Sequence, residues 1–109
     1  MNLLKETIDK LAEYNLKPSD VKWVGNSNGK TTWEQFKKLA DKEYDDGFGG
    51  EEVNTELLVV GDDWWLERHE YDGSEWWELK RLPETPENKT FTQTGDRYKY
   101  EANLYIFYE

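Results

Sequence analysis

The chain has 109 residues, of which 36% are hydrophobic and 35% charged, and its formal net charge is −10. This length suits a single domain with one modest core, which we expect to span residues 1–109, and the absence of cysteine excludes disulfides, thiolate metal sites and cysteine nucleophiles. The 6 Trp, 7 Tyr and 4 Phe residues indicate a folded chain, because a disordered chain of this charge would contain few aromatics.

The negative charge is concentrated in the middle of the chain. Residues 41–78 hold 14 Asp and Glu against Lys42 and Arg68, a net charge of −12, whereas the remainder has a net charge of +2. Such a segment repels phosphate backbones, so we expect no direct binding of nucleic acid, and it would attract a protein with a basic surface. The plainer interpretation is a solvated acidic face that maintains solubility.

The sequence contains no long apolar run, and its N-terminal stretch MNLLK becomes polar at once. We therefore expect a cytoplasmic protein that does not bind a membrane.

The first predicted element is an amphipathic helix over residues 3–14. Its apolar residues recur at helical spacing and are Leu4, Ile8, Leu11 and Ala12. Pro18, which cannot continue a helix, follows its end. Residues 21–25 then fit either a short strand or an extended connector, and the sequence NSNG at 26–29 is typical of a turn.

A second helix is predicted from about residue 32 to residue 44. Thr31 and Glu34 fit a capping box, in which the Glu34 side chain reaches back to the Thr31 amide. The apolar positions of this helix are Trp33, Phe36 and Ala40, with Leu39 beside them. The sequence DDGFGG at 45–50 ends it.

The rest of the chain has strand character. Residues 56–63 form a short apolar run, and residues 64–71 and 74–82 flank Asp72-Gly73, the strongest short hairpin signal. After a predicted loop, the alternating pattern of residues 97–108 indicates a last strand.

Helices followed by antiparallel strands predict an α+β fold. We expect two N-terminal helices packed on one face of an antiparallel sheet of about four strands, with the other face open.

A two-residue turn at Asp72-Gly73 would fix the register of the predicted hairpin, with Leu66 opposite Leu79. Because that pair is aliphatic, we expect its face to be the core side. The same face would place Arg68 over Trp77 and Arg81 beside Trp64, both candidates for a cation–π contact of about 0.5–2 kcal/mol.

The opposite face of the hairpin supplies the candidate partner-binding residues. They are Trp65, Glu67, His69, Tyr71, Trp76 and Glu78, together with Asp45 and Asp46 from the acidic loop at 41–52. Trp and Tyr are enriched at interface hot spots, and the carboxylates would steer a basic partner. Alternatively, the rings pack on each other or are covered by the loop or the last strand, and a register slip of one residue would exchange the two faces.

Glu67 and Glu78 lie directly opposite each other in this register. Residues in this arrangement have their Cβ atoms about 4.5–5.5 Å apart, and like charges so close should raise the pKa of one carboxyl. Paired carboxylates also carry out glycoside hydrolysis. A carbohydrate-binding or glycan-active protein that uses the exposed Trp rings is therefore one alternative function.

Metal and cofactor chemistry finds little support in the sequence. His69 is the one histidine, which excludes a multi-histidine site, so Glu67, His69 and Glu78 could hold a divalent ion only weakly. The acidic loop departs from a calcium-binding EF-hand, because Asp46 stands where the turn needs glycine. We assign no catalytic residue, no metal site and no cofactor.

The run LVVGDDWWLERHEYDGSEWWELKRLP, with YDDGFG and TTWEQF upstream, resembles a family of small uncharacterised acidic proteins from Gram-positive bacteria and their phages. The resemblance covers roughly residues 21–83, and the hairpin is its most specific part. The family implies no activity and no functional residue. Its phage connection implies an inhibitor of a host factor, in which residues 41–78 mimic nucleic acid and bind a basic protein. Our preferred interpretation is a non-catalytic protein-interaction module.

Overall fold

The computed structural model describes residues 1–45, 47 and 52–85. Asp46 and the predicted strand at 97–108 lie outside the described residues. The helices are α1 (Leu3–Glu13) and α2 (Trp33–Ala40), and a short 3-10 helix spans Pro18–Asp20. The strands are β1 (Trp23–Asn26), β2 (Gly29–Thr31), β3 (Leu58–Val60), β4 (Trp64–Tyr71) and β5 (Ser74–Arg81). The predicted α+β class is confirmed.

The described strands form one antiparallel sheet of five strands in the order β2-β1-β3-β4-β5. The prediction of about four strands did not include β2. The Asn26 side chain accepts a hydrogen bond from the Asn28 amide at 2.8 Å, and this turn reverses the chain into a three-residue strand. Gly29–Thr31 has too few β-branched or aromatic residues to predict a strand by itself.

The hairpin of β4 and β5 has the predicted register, with Tyr71 opposite Ser74 and Trp64 opposite Arg81. Asp72 and Gly73 form the turn with φ angles of 52° and 88°. Two successive positive φ angles match the right-handed twist of the flanking strands, which is why Asp-Gly is favoured there.

A row of aliphatic side chains crosses the sheet and defines its core face. Val24, Val59, Leu66 and Leu79 are successive cross-strand partners, and the first three are at most 1% exposed. Leu66 and Leu79 therefore mark the core side of the hairpin, as predicted. Phe36 of α2 belongs to the same buried cluster.

The connection from β3 to β4 is tight and brings an indole onto a glycine. Gly61 donates a backbone hydrogen bond to the Trp64 carbonyl at 2.8 Å. A Cβ atom at Gly61 would lie 2.1 Å from the Trp64 ring. Only glycine leaves room for this ring, which is 4% exposed and begins β4 on the core side.

The buried face of α1 differs from the predicted one. The helix begins after Asn2, whose side chain accepts a hydrogen bond from the Lys5 amide at 2.9 Å. Its buried residues are Leu3, Thr7 and Leu11, whereas Ile8 is 37% exposed and Ala12 is also exposed. Thr7 faces the core because its hydroxyl accepts a hydrogen bond from the buried indole N–H of Trp77 at 2.9 Å.

The α2 helix begins one residue later than the predicted capping box. Thr32 is the N-cap and accepts a hydrogen bond from the Gln35 amide at 3.1 Å, whereas Thr31 is held in β2 opposite Val24. Glu34 lies 3.4 Å from the ammonium of Lys37 instead of capping the helix.

The end of α2 falls at Ala40, not at residue 44, because the start of the chain binds the next backbone groups. The Leu3 amide donates to the Lys42 carbonyl, and the Tyr44 amide donates to the Met1 carbonyl. Phe36 and Ala40 form the buried face as predicted, while Leu39 is 64% exposed.

A buried polar cluster joins α1, the loops around residues 44 and 52, and the hairpin. We call it the Arg68 cluster, and it consists of Glu6, Tyr44, Arg68 and Glu75. The Arg68 guanidinium lies 3.0 Å from Glu75 and 3.4 Å from Glu6, and it donates to the Tyr44 hydroxyl at 3.1 Å. The Glu75 carboxylate also accepts the amides of Glu52 and Val53, which fixes this loop to the hairpin.

The predicted stacking of Arg68 on Trp77 is confirmed, with 4.7 Å between the guanidinium carbon and the ring centroid. The predicted contact of Arg81 with Trp64 is wrong. Among the described residues the cation–π contacts are those of Arg68, and Arg81 is exposed at the end of β5. Burying a guanidinium against an indole is costly unless acceptors also bind its charge. Arg68 has the carboxylates of Glu6 and Glu75 for this, whereas Arg81 contacts neither of them.

Burial, hydrogen bonds and neighbouring charges together determine the protonation states in the Arg68 cluster. Burial raises the pKa of Tyr44 far above its usual value, and its hydrogen bond to Glu6 adds to this shift. Burial alone would lower the pKa of Arg68, but its hydrogen bond to Tyr44 and the charge of Glu6 outweigh that effect and raise it. Tyr44 thus stays a neutral phenol that donates to Glu6 and accepts from Arg68.

Candidate functional site

The sheet face opposite the aliphatic row carries most of the predicted partner-binding residues. We call it the open face. Trp23, Val60, Trp65 and Lys80 form one cross-strand row, and Leu58, Glu67 and Glu78 form part of the next. Apart from the exposed Lys80, these side chains are partly exposed. The surface is therefore wider than the hairpin alone.

The two Trp doublets divide between the faces as predicted. Trp64 and Trp77 are in the core, at 4% and 0% exposure. Trp65 and Trp76 lie on the open face and are partly exposed. The outer indoles, Trp65 and Trp76, are therefore partly available to a partner, whereas Trp64 and Trp77 are held by packing in the core.

Each outer indole is oriented by a glutamate two residues along its own strand. The Trp65 Nε1–H donates to Glu67 at 2.7 Å, and the Trp76 Nε1–H donates to Glu78 at 3.0 Å. Residues i and i+2 point to the same face of a strand, which makes this contact possible. These hydrogen bonds restrict the rotation of both rings.

The His69 ring lies between the two carboxylates, and the Lys80 ammonium lies beside one of them. The His69 Nε2 lies 2.7 Å from Glu67 and 3.5 Å from Glu78, and its ring stacks on Trp76 with centroids 6.5 Å apart. The Lys80 ammonium lies 3.5 Å from Glu78. We call this group the hairpin cluster, and it consists of Trp65, Glu67, His69, Trp76, Glu78 and Lys80.

The expected rise in pKa at the carboxylate pair is wrong. The indole N–H of Trp65 lowers the pKa of Glu67, assisted by His69 and Lys80. The indole N–H of Trp76 lowers the pKa of Glu78, assisted by the same two groups. For both carboxyls, the effects that favour the charged form therefore outweigh burial, which alone would raise the pKa. Both glutamates are ionised at neutral pH.

Ionised glutamates limit the chemistry of this pair. Glycoside hydrolysis needs one carboxyl that stays protonated and gives its proton to the leaving group. A lowered pKa at both Glu67 and Glu78 is the opposite of that requirement. Within the described part of the chain, no group of three His, Cys, Asp or Glu side chains is arranged to hold a metal ion.

The structure does not bring every predicted residue into the hairpin cluster. Tyr71 lies at the tip of the hairpin and is 76% exposed. Asp45 accepts a hydrogen bond from the Gly47 amide at 3.0 Å. The prediction for Asp46 lies outside the described residues.

Sequence reasoning missed Trp23, Leu58 and Val60 as members of the open face. The alternating run around Trp23 could have shown which face this residue occupies. No comparable signal identifies its cross-strand partner, because Val60 lies 37 positions along the chain and nothing local encodes that pairing.

Comparisons with family models, with curated proteins and with solved structures found no match. The resemblance to acidic proteins of Gram-positive bacteria and their phages stays a prediction. Within the described residues, no helix is long and apolar enough to cross a membrane.

Proposed function

We propose that this protein is a non-catalytic interaction module that binds a basic surface of another protein through its open face. The observation that carries the proposal is the hairpin cluster, in which two partly exposed indoles flank two ionised glutamates. A few residues carry most of the binding energy at protein interfaces, and tryptophan is enriched among them. Carboxylates beside them favour a cationic partner and accelerate its approach.

The orientation of the indoles supports the same function. Trp65 and Trp76 already hold their rings by hydrogen bonds to Glu67 and Glu78. A side chain that is ordered before binding loses less rotamer freedom on binding, at a saving of about 0.5–1.5 kcal/mol for each ordered side chain. The cluster is therefore suited to recognition and, with both carboxyls ionised, poorly suited to acid catalysis.

The test uses affinity capture from cells with the full chain as bait. The Trp65→Ala/Trp76→Ala double variant should lose the captured protein, whereas Leu39→Ala, which removes an exposed leucine from α2, should retain it. Urea denaturation of each bait shows whether the fold is intact. A double variant that unfolds, with no protein captured by the wild type, would mean that these rings are structural.

Charge is tested separately with Glu67→Gln/Glu78→Gln, which keeps the shape of both side chains. We expect weaker capture and a smaller dependence of binding on salt. If the captured protein binds DNA, and DNA competes with the bait, the inhibitor that mimics nucleic acid becomes the better description. Binding that does not change with salt would contradict both the interaction module with a basic partner and the inhibitor that mimics nucleic acid. Binding on a glycan array without any captured protein would favour the carbohydrate alternative.

A further inference from the structure

The outer edge of β5 is a second surface, separate from the open face. This strand has eight residues and lies at the end of the described sheet. In a hairpin with a two-residue turn, the two residues that flank the turn hydrogen-bond to each other through their backbones. The backbone groups of the next residue along each strand point away from the partner strand, and this alternation continues along the hairpin. Glu75, Trp77, Leu79 and Arg81 therefore direct their backbone N–H and C=O groups away from β4. Among the described residues, no strand pairs with this edge.

Natural edge strands are usually protected from pairing by charged side chains, proline, bulges or short length. The β5 strand, SEWWELKR, has no proline, and its register with β4 is continuous over eight pairs. Its protection is limited to two acidic and two basic side chains, which an extended segment of complementary charge can pair with. With respect to the described part of the chain, its backbone is therefore available as a template for another extended segment.

A groove of about 240 Å³ lies beside this edge, between α1 and β5. Its walls include Glu6, Asp9, Lys10 and Glu13 of α1, with Trp76 and Trp77 of β5. A strand added to β5 would run along this groove, and its alternate side chains would enter it.

The charge of the groove indicates the chemistry of its occupant. The groove is lined by the carboxylates of Glu6, Asp9 and Glu13 and by the ammonium groups of Met1 and Lys10. Because Glu6 is already paired with Arg68, Asp9 and Glu13 are the carboxylates that a bound cation could reach. Asp9 is paired with Lys5 and Glu13 with Lys10, but the two carboxylates are 61% and 58% exposed. Such exposed pairs contribute about 0–1 kcal/mol, so a partner's lysine or arginine can replace the intramolecular cation at little cost.

We propose that an extended basic segment of a partner protein binds here by adding a strand to β5. Its backbone pairs with the outward groups of Trp77, Leu79 and Arg81, and its lysine or arginine side chains enter the acidic groove. Strand addition of this kind gains affinity from main-chain hydrogen bonds and specificity from alternate side chains. The inference goes beyond the proposed function, because the edge can bind whether or not the open face does.

The test follows backbone amides of the full ¹⁵N-labelled chain by NMR. The probe is the peptide acetyl-Lys-Val-Lys-Val-Lys-Val-Lys-Val-amide. We expect it to slow hydrogen exchange at Trp77, Leu79 and Arg81 by at least about tenfold. The amides of Trp76 and Lys80, which already pair with β4, should change little. A peptide with glycine in place of each valine has the same charge and a poor strand propensity, and it should give no such protection.

Two variants of one residue separate strand pairing from side-chain contact. Leu79→Pro removes an outward N–H and leaves the ladder with β4 in place, so the peptide should no longer protect Trp77 and Arg81. Leu79→Val keeps the amide and should retain the protection. If circular dichroism shows that Leu79→Pro does not fold, variants that remove charge from the groove provide the test. Asp9→Asn/Glu13→Gln should then weaken binding about tenfold, whereas the matched pair Glu56→Gln/Asp62→Asn should not.

Three results would overturn the proposal. The first is equal protection by the glycine peptide, which would reduce the effect to general charge attraction. The second is peptide-induced shifts confined to the open face. The third is strong protection of Trp77, Leu79 and Arg81 in the free protein. This last result would mean that the edge is already filled by the same chain if protection is independent of concentration, or by a second copy if it increases with concentration.

Discussion

Thr7 is a polar residue at the centre of an apolar face, and its contact with Trp77 explains this position. The side chain is 0% exposed; its hydroxyl donates to the Leu3 carbonyl at 2.7 Å and accepts from the Trp77 indole at 2.9 Å. A buried indole N–H without an acceptor is costly. One threonine thus allows a tryptophan to occupy the core between α1 and the hairpin.

We expect Thr7→Val, which keeps the shape, to lower the free energy of unfolding by about 1–3 kcal/mol. Urea denaturation measures this loss. The control is the same substitution in a Trp77→Phe background, where no N–H needs an acceptor and the loss should nearly vanish. An equal loss in both backgrounds would show that the hydrogen bond is not the cause.

Trp65 controls the ionisation of Glu67. Its indole N–H is the largest cause of the lowered pKa of that carboxyl. A carboxyl whose pKa is lower in the folded state stabilises the fold above its unfolded pKa, about 4.3, and this stabilisation disappears as the pH falls through the folded pKa. We therefore expect Trp65→Phe to raise the pKa of Glu67 towards the unfolded value.

An NMR titration of the Glu67 side-chain carboxyl carbon measures this shift directly. Trp33→Phe, in α2, is the control and should leave the titration unchanged. If Glu67 in Trp65→Phe titrates as it does in the wild type, then His69 and Lys80 are the main cause of the lowered pKa.

Among the elements, the strand pairing and register of the hairpin could be predicted from the sequence because their determinants are local. Asp72-Gly73 fixes the turn, the turn fixes the register, and the register assigns each side chain to a face. The pairing of Glu67 with Glu78, and the separation of Trp64 from Trp65, followed from those two residues.

The helices could be predicted only in part, since distant residues decide their details. Periodicity located α1, but its buried face turns towards Trp77, which lies 70 positions away. The end of α2 depends on backbone bonds from Met1 and Leu3. The pKa values of the carboxylate pair were predicted wrongly because the register places the two carboxyls opposite each other but does not reveal the indole hydrogen bonds, which lower both values.

The turn of the hairpin gives a prediction at this scale. Gly73 has a φ angle of 88°, so Gly73→Ala should lower the free energy of unfolding by about 1–2 kcal/mol. The matched control is Gly29→Ala in the other hairpin, where a Cβ meets nothing within 4 Å and the change should stay within about 0.5 kcal/mol. Thermal unfolding of both variants measures the difference. Equal effects would contradict the role assigned to the turn.

Over the whole molecule, the uneven charge sets the response to salt. Residues 41–78 have a net charge of −12 and include β4 and the first five residues of β5. Mutual repulsion of like charges destabilises a compact state. Raising sodium chloride from about 10 mM to about 100 mM shortens the screening length from about 30 Å to about 10 Å.

We therefore expect the melting temperature to rise over this range of salt. The exposed ion pairs that salt also weakens contribute little. Asp62→Asn/Asp63→Asn removes two charges from the acidic segment and should reduce the rise. A melting temperature that falls with salt would mean that attractive pairs outweigh the repulsion.

The links from α1 to the hairpin also affect how the chain matures on the ribosome. Glu6 and Thr7 meet Arg68 and Trp77 only across separations of 62 and 70 residues. At a translation rate of about 5–20 residues per second, the helix waits several seconds for the strands that cover it. A nascent chain that stops before β5 can never bury this helix face. Such truncated products should be held by chaperones and degraded, whereas full-length chains mature in one late, cooperative step.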